Sequence, residues 1–265
     1  QCDYGLFDDT GCRPGYECRT VNRFQDSNTS RDVCLPINWW RDPSRGLDYG
    51  VTVGEMTSTT AQVWTHTGQT ESSIEVHYGT SRENLNQTAF GQSFASDGYT
   101  AQIPLSGLEP GTHYYYEVDL DDGLARSEIG QFRTAPTPGA AEGFTFLVSG
   151  DIMNRGSSLF DLFNLMAVED ADFYISMGDW PYADAAATLS GYWSIHKLVR
   201  DDPQIRNFIR SMGMFAIFDD HEVYNDWDAA FAASNPSRVQ YGLAAWEDWF
   251  PFEEQFDGEY YRHVV

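Results

Sequence analysis

Basic residues are scarce in this chain. Sixteen Lys and Arg stand against 40 Asp and Glu in 265 residues, a formal charge of −24. A surface that acidic repels phosphate backbones and anionic headgroups over about a Debye length, so no nucleic-acid-binding surface is expected. Long apolar runs are missing as well. None approaches the roughly 18 residues that a membrane-crossing helix requires, so no membrane span is expected. Cysteine is absent after position 34 and no Cys-x-x-Cys occurs anywhere, which argues against a zinc knuckle.

The cysteines that are present sit together: Cys2, Cys12, Cys18 and Cys34. An even number in a short segment poor in core-forming residues reads as a disulfide-rich cap made in an oxidising compartment. Sequence alone permits three pairings, of which the interleaved Cys2–Cys18 and Cys12–Cys34 would compact the segment best. The chain opens at Gln1-Cys2 without a signal peptide, so a mature secreted, extracellular or periplasmic protein is expected.

The texture changes along the chain. Residues 1–40 form the cap. Residues 41–135 carry short alternating segments such as 61–65, 73–78 and 113–118, separated by Gly, Asn, Asp and Pro turns, which argues for an antiparallel β-sandwich. Residues 136–143, rich in Pro and small side chains, read as a linker. From 144 to 265 the pattern turns to alternating strand and helix, as in an α/β fold with parallel strands. Strands are expected over 144–148, 173–177 and 214–218. A helix over 157–168 would present Leu159, Phe160, Leu162, Phe163 and Met166 on one face, and another would begin at Asp202-Pro203. Trp246, Trp249, Phe250 and Phe252 read as core, and His66, His77, His113 and His196 as structural.

Three of these apolar runs break into acids: Phe144 to Asp151, Phe173 to Asp184, and Met214 to Glu222. In open α/β sheets ligands gather where strands end, so acids repeated at strand ends read as metal ligands on one edge of a sheet. Two cations held close together repel, and need a bridging carboxylate with further anionic ligands. Asp151, Asp179 and Asp220 supply that charge. Tyr182, three residues after Asp179, offers a hard phenolate suited to ferric iron. His221 stands beside these acids, where an imidazole can donate to a phosphoryl oxygen or leaving group. Glu222 and Asn225 are candidates for substrate contact or for holding the ligands in place.

These residues resemble a known superfamily. Gly150-Asp151, Gly178-Asp179 and Asp219-Asp220-His221-Glu222 look like the first three motifs of calcineurin-like metallophosphoesterases. The stretch from Gly178 through Tyr182 to Asp184 is similar to purple acid phosphatases. The run from Phe218 to Asp226, and that from Tyr49 to Thr65, resemble PhoD-type alkaline phosphatases and phosphodiesterases. The segment from Leu105 to Glu117 resembles the hairpin and tyrosine corner of fibronectin type III domains.

The resemblance implies an incomplete α/β/β/α metallophosphoesterase sandwich, preceded by a fibronectin III-like or Ig-like all-β sandwich and the small cap. It implies that Asp179 bridges two metal ions, that Asp151 and Tyr182 hold the first and Asp220 the second, and that His221 lies over the scissile phosphate. The metals would be Fe3+ with Ca2+, or Zn2+ or Mn2+ in place of calcium. The reaction would be attack of a metal-activated hydroxide on a small phosphate mono- or diester. The chain departs from the pattern in having Gly150 where PhoD-type enzymes carry a cysteine ligand, and Met153 where other members carry the histidine of Asp-x-His. After His221 only His263 remains, so the downstream histidines are expected from a C-terminal remainder of the polypeptide or a second chain. The rival expectation is an extracellular structural or adhesive protein with a degenerate, non-catalytic domain. A third is a calcium-binding module.

Overall fold

A computed structural model of the chain describes residues 16–23, 26–36, 47–120, 125–152, 161–252, 255–256 and 261–262. The chain divides into two compact units, Gln1–Pro43 and Ser44–Val265. In the first, β1 (Tyr16–Arg23) pairs antiparallel with β2 (Asp26–Pro36), and the register sets Cys18 opposite Cys34. Cys2 and Cys12 lie outside the described residues.

The second unit begins with strands β3 (Val51–Gly54), β4 (Thr60–His66), β5 (Ser73–Gly79), β6 (Gln87–Gln92), β7 (Thr100–Ser106), β8 (His113–Leu120), β9 (Ala125–Arg126) and β10 (Gly130–Arg133). They form two antiparallel sheets, ordered β3-β4-β7 and β10-β8-β5-β6, with β9 paired to β8. Alternate residues point inward, as a two-residue period requires. Val63, Ile74, Val76, Ile103, Tyr116, Val118 and Phe132 build their common core. Buried Tyr114 accepts the Glu109 amide proton at its hydroxyl, 2.9 Å away, fixing the corner that leads into β8.

Next come β11 (Phe146–Ser149), α1 (Asp161–Met166), β12 (Phe173–Ser176), α2 (Leu189–Arg200), α3 (Pro203–Ser211), β13 (Gly213–Ala216), α4 (Ala229–Ser234) and α5 (Pro236–Trp249), then the antiparallel pair β14 (Gln255–Phe256) and β15 (Tyr261–Arg262). Strands β11, β12 and β13 lie parallel in that order. Helices α2, α3 and α4 start on side-chain caps: Thr188 Oγ1 accepts from Gly191, Asp202 from Gln204 with Pro203 in the first turn, and Asp228 from Phe231. Ile205, Phe208 and Ile209 face the core from α3, as their spacing requires.

One expectation is corrected. On α1 Phe163 and Met166 are buried but Leu162 is 56 % exposed. The reason is that α1 meets its neighbour along the Phe163 side, with the Phe163 and Phe208 rings 5.0 Å apart, and Leu162 is turned about 100° from that line. Leu159 and Phe160 lie outside the described residues. The exposed stretch before β11 lies between two chain halves that pack against each other. Trp64 of β4 lies in the core of the helical half, and its Nε1 donates to the Asp248 carbonyl at 2.8 Å. Gln102 Nε2 donates to the carbonyls of Glu247 and Phe250 at 2.8 and 2.7 Å.

One face of the parallel sheet turns Tyr174, Met214 and Ala216 into the helices. The other carries Phe146, Val148, Met177 and Ile217, each about half exposed, with Phe146 stacked on Phe173 at 5.6 Å. This second face is apolar and largely open.

Candidate metal centre and active site

The loops after β11, β12 and β13 carry the acidic clusters, and the parallel register brings all three to one sheet edge. Asp151 and Asp179 both have left-handed backbone, with φ of 56° and 58°, a conformation that costs a non-glycine residue about 1–3 kcal/mol and collects at functional sites. The loops are stitched together by their main chains. Asp151 donates its amide to the Gly178 carbonyl at 3.2 Å, Ile152 to Asp179 at 2.9 Å, and Ala183 to His221 at 2.8 Å. Glu222 adds a side-chain staple: Oε1 accepts the Trp180 amide at 2.7 Å and Oε2 the Asp219 amide at 2.9 Å. Burial pushes its carboxyl up to about 7, against those amide bonds. Both oxygens of Glu222 are thus committed to backbone, and the residue is 1 % exposed.

Asp179, Asp220 and His221 converge, each offering a ligand atom within 4.8 Å of the others. Asp179 is nearly buried, and its Oδ1 has no hydrogen-bond partner among the described residues. Burial raises the Asp179 carboxyl above the usual range, and the nearby Asp220 charge adds to this against the Tyr182 and His221 interactions. A buried, unpartnered carboxylate oxygen beside another acid and an imidazole fits a cation. Asp151 joins through Tyr182, whose hydroxyl donates to Asp151 Oδ1 at 2.9 Å. Burial, then the bonds to Asp151 and Asp179 and their charges, drive the phenol pKa up, so it stands here as a proton donor.

His221 stacks on Tyr182, ring centroids 4.0 Å apart, and its Nδ1 lies 2.9 Å from both carboxylate oxygens of Asp184. Burial works against the charged ring, but the Asp184 bond and the charges of Asp184, Asp179 and Asp220 outweigh it and raise the imidazole above its ordinary value. The loop continues with the Asn225 amide on Asp184 Oδ1 at 2.7 Å, the exposed Asn225 side chain on Asp226, and the Asp226 amide on Asp220. His66 and His196 are buried among aromatic rings, far below their ordinary pKa through burial first, His66 at about 3. Asp184 is the site residue to which the residue pattern assigned no role. Its signal is its place five residues after Asp179, within the same acidic run.

A family model described as "PhoD-like phosphatase, N-terminal domain" matches residues 37–136, and one described as "PhoD-like phosphatase" matches residues 144–264. The chain is 31 % identical over 132 residues to purple acid phosphatase 23 of Arabidopsis thaliana, covering 44 % of this chain and 28 % of the relative. It is 23 % identical over 147 residues to alkaline phosphatase D of Bacillus subtilis (strain 168), covering 49 % and 25 %. A solved structure of PhoD superposes with a TM-score of 0.73 at 19 % identity, over 79 % of this chain and 47 % of that one. The matched residues thus span less than a third of these two relatives and under half of the solved chain.

Proposed function

Because this chain belongs to the PhoD-like phosphatase family, we propose that it hydrolyses phosphate mono- or diesters at the acidic cluster above its parallel sheet. The observation that carries this reading is the convergence of Asp179, Asp220 and His221, where the buried Asp179 Oδ1 has no hydrogen-bond partner among the described residues. Asp179, with Asp151 and Tyr182 on one side and Asp220 on the other, would hold two cations, Fe3+ with Ca2+ or with Zn2+ or Mn2+ in place of calcium. Bound there, they would supply the positive charge that polarises a phosphoryl group and acidifies a water.

The chain's own residues do the rest. Asp184 occupies Nδ1 of His221 and keeps that proton in place, so Nε2 is the atom left to donate to a phosphoryl oxygen or to the departing alcohol. Tyr182 would ligate a cation as its phenolate, after losing to solvent the proton it now shares with Asp151. Glu222 keeps the two ligand-bearing loops at fixed separation.

The open apolar face of the parallel sheet supports a second layer supplied by residues outside these 265, from the same polypeptide or a second chain. The strand order of the β-sandwich supports a fibronectin III-like domain. The four cysteines grouped within residues 1–40 support a disulfide-rich cap, and with it a secreted protein.

The test is hydrolysis of p-nitrophenyl phosphate and its bis ester by the full-length chain reconstituted with iron and calcium, alongside Asp179→Asn. Activity on either ester that falls by at least about 100-fold in the variant, with its metal content, is expected. A metal-loaded wild type that cleaves neither ester overturns the enzyme reading.

A further inference from the structure

We propose that Arg238, in the first turns of α5, is a positioning residue for His221 and acts through Asp184. The inference rests on the phosphoesterase reading above and deepens it. Arg238 is half-buried and spends its guanidinium on three segments at once. Nη2 donates to the Asp184 carbonyl oxygen, and Nε donates to the Tyr192 hydroxyl at 3.4 Å. The guanidinium plane covers Tyr224, 4.4 Å from its centroid, and Phe231 at 5.7 Å, and those two rings stack on each other at 4.7 Å.

Each of those contacts leads back to the imidazole. The peptide whose carbonyl Arg238 grips belongs to the residue whose carboxylate meets His221 Nδ1. Tyr192, fully buried on α2, donates its hydroxyl hydrogen bond to the Val223 carbonyl at 2.8 Å, two residues beyond His221. Tyr224 lies in the same turn, its amide bonded to the Asp220 carbonyl at 2.7 Å. Arg238 therefore ties the Asp184 turn, α2 and the His221 loop into one piece. A planar fork can bond in two directions while its face rests on an aromatic ring, and a lysine ammonium cannot do all three. Asp184 is held by its main chain at one end and meets His221 at the other, so the aim of the imidazole depends on this clamp.

The experiment compares Arg238→Lys and Arg238→Gln with wild type in the full-length, metal-loaded chain. For each, kcat and KM on p-nitrophenyl phosphate, metal content, melting temperature and the NMR resonance of the His221 Nδ1 proton, assigned by its loss in His221→Asn, are measured. Both variants are expected to lose about tenfold in kcat while KM and metal content stay within about twofold, and the Nδ1 proton resonance shifts or broadens. Lysine recovers more of the melting temperature than glutamine without recovering kcat. Unchanged kcat with an unmoved resonance overturns the proposal, and so does a kcat loss matched by lost metal. If wild type cleaves no ester the phosphoesterase reading fails, and the proton resonance alone decides whether Arg238 aims His221.

Discussion

A Cβ placed on Gly178 would lie 2.8 Å from the Cβ of Asp219 and 2.9 Å from its backbone nitrogen. The loop before Asp179 and the loop before Asp220 touch backbone to backbone at this point, and glycine is what allows them to.

Gly178 also has φ of 96°, so Gly178→Ala meets both a clash and a strained backbone. It is expected to cost about 2–4 kcal/mol in denaturant unfolding and to weaken cation binding by prying the two loops apart. Gly150 precedes its own acid in the same way, yet the nearest atom to its Cβ position is 3.4 Å away and it has no positive φ. Gly150→Ala should cost less than about 1 kcal/mol. Equal costs at the two positions would refute this account of the loop contact.

Cation binding to the folded chain alone must raise its melting temperature. At a free concentration about 100 times Kd the gain is about 2.7 kcal/mol, several degrees for a body of this size. Chelation should reverse it, and Asp179→Asn should abolish it, because the unpartnered Oδ1 is the atom that gains a partner. A calorimetric scan of wild type and variant, each with and without metal, reads this directly, and an undiminished shift in the variant would locate the site elsewhere.

Asp248 is partly buried at the seam with the β-sandwich, where Trp193 Nε1 donates to its Oδ2 at 2.7 Å. Burial pushes its carboxyl from 3.8 up to about 6, helped by the charges of Asp97 and Glu247 and opposed by the Trp193 bond. A raised folded-state value means that the folded chain holds this proton more tightly than the unfolded one. That contribution is full below about pH 4 and is lost as pH rises through about 6. Asp248→Asn, which keeps an oxygen for Trp193, is therefore expected to stabilise by about 1–2 kcal/mol at about pH 7.5, after allowance for partial solvent screening, and by nothing near pH 4. Urea midpoints at both pH values decide it. A gain that does not depend on pH would mean that packing is responsible instead of charge.

The open face of the parallel sheet gives a fourth expectation. These 265 residues alone should bind the hydrophobic dye ANS, and Phe146→Ser with Val148→Thr should cut that binding without lowering the melting temperature by more than about 2 °C, since both side chains are about half exposed. In a longer chain whose further elements cover the face, dye binding should be low and the same substitutions should cost several degrees. Dye binding that is equal in both lengths would leave the face uncovered in either.

Much of this site could be read from residue order. Asp151, Asp179, Tyr182, Asp220 and His221 stand at the ends of apolar runs, and the Asp202-Pro203 start of α3 and the buried faces of Trp246 and Trp249 were visible in spacing. Glu222 was placed near the site, but its task was hidden. That task depends on where the Trp180 and Asp219 amides point, which no local pattern records. Asp184 and Arg238 were hidden for the same reason: 54 positions separate them, and only the packing of α5 against the loops brings them together.

Sequence by itself determined the strand-end acids, the glycines that let the backbone turn beside them, and the change of period from sandwich to α/β, because these are local matters of φ, capping and alternation. The tertiary structure alone decided that Trp64 of the sandwich completes the helical core, that one sheet face is left open, and that Asp184 meets His221 under the grip of Arg238. Contacts across tens of residues depend on which surfaces exclude water from each other when the whole body packs, and the order of residues along a single chain does not state that choice.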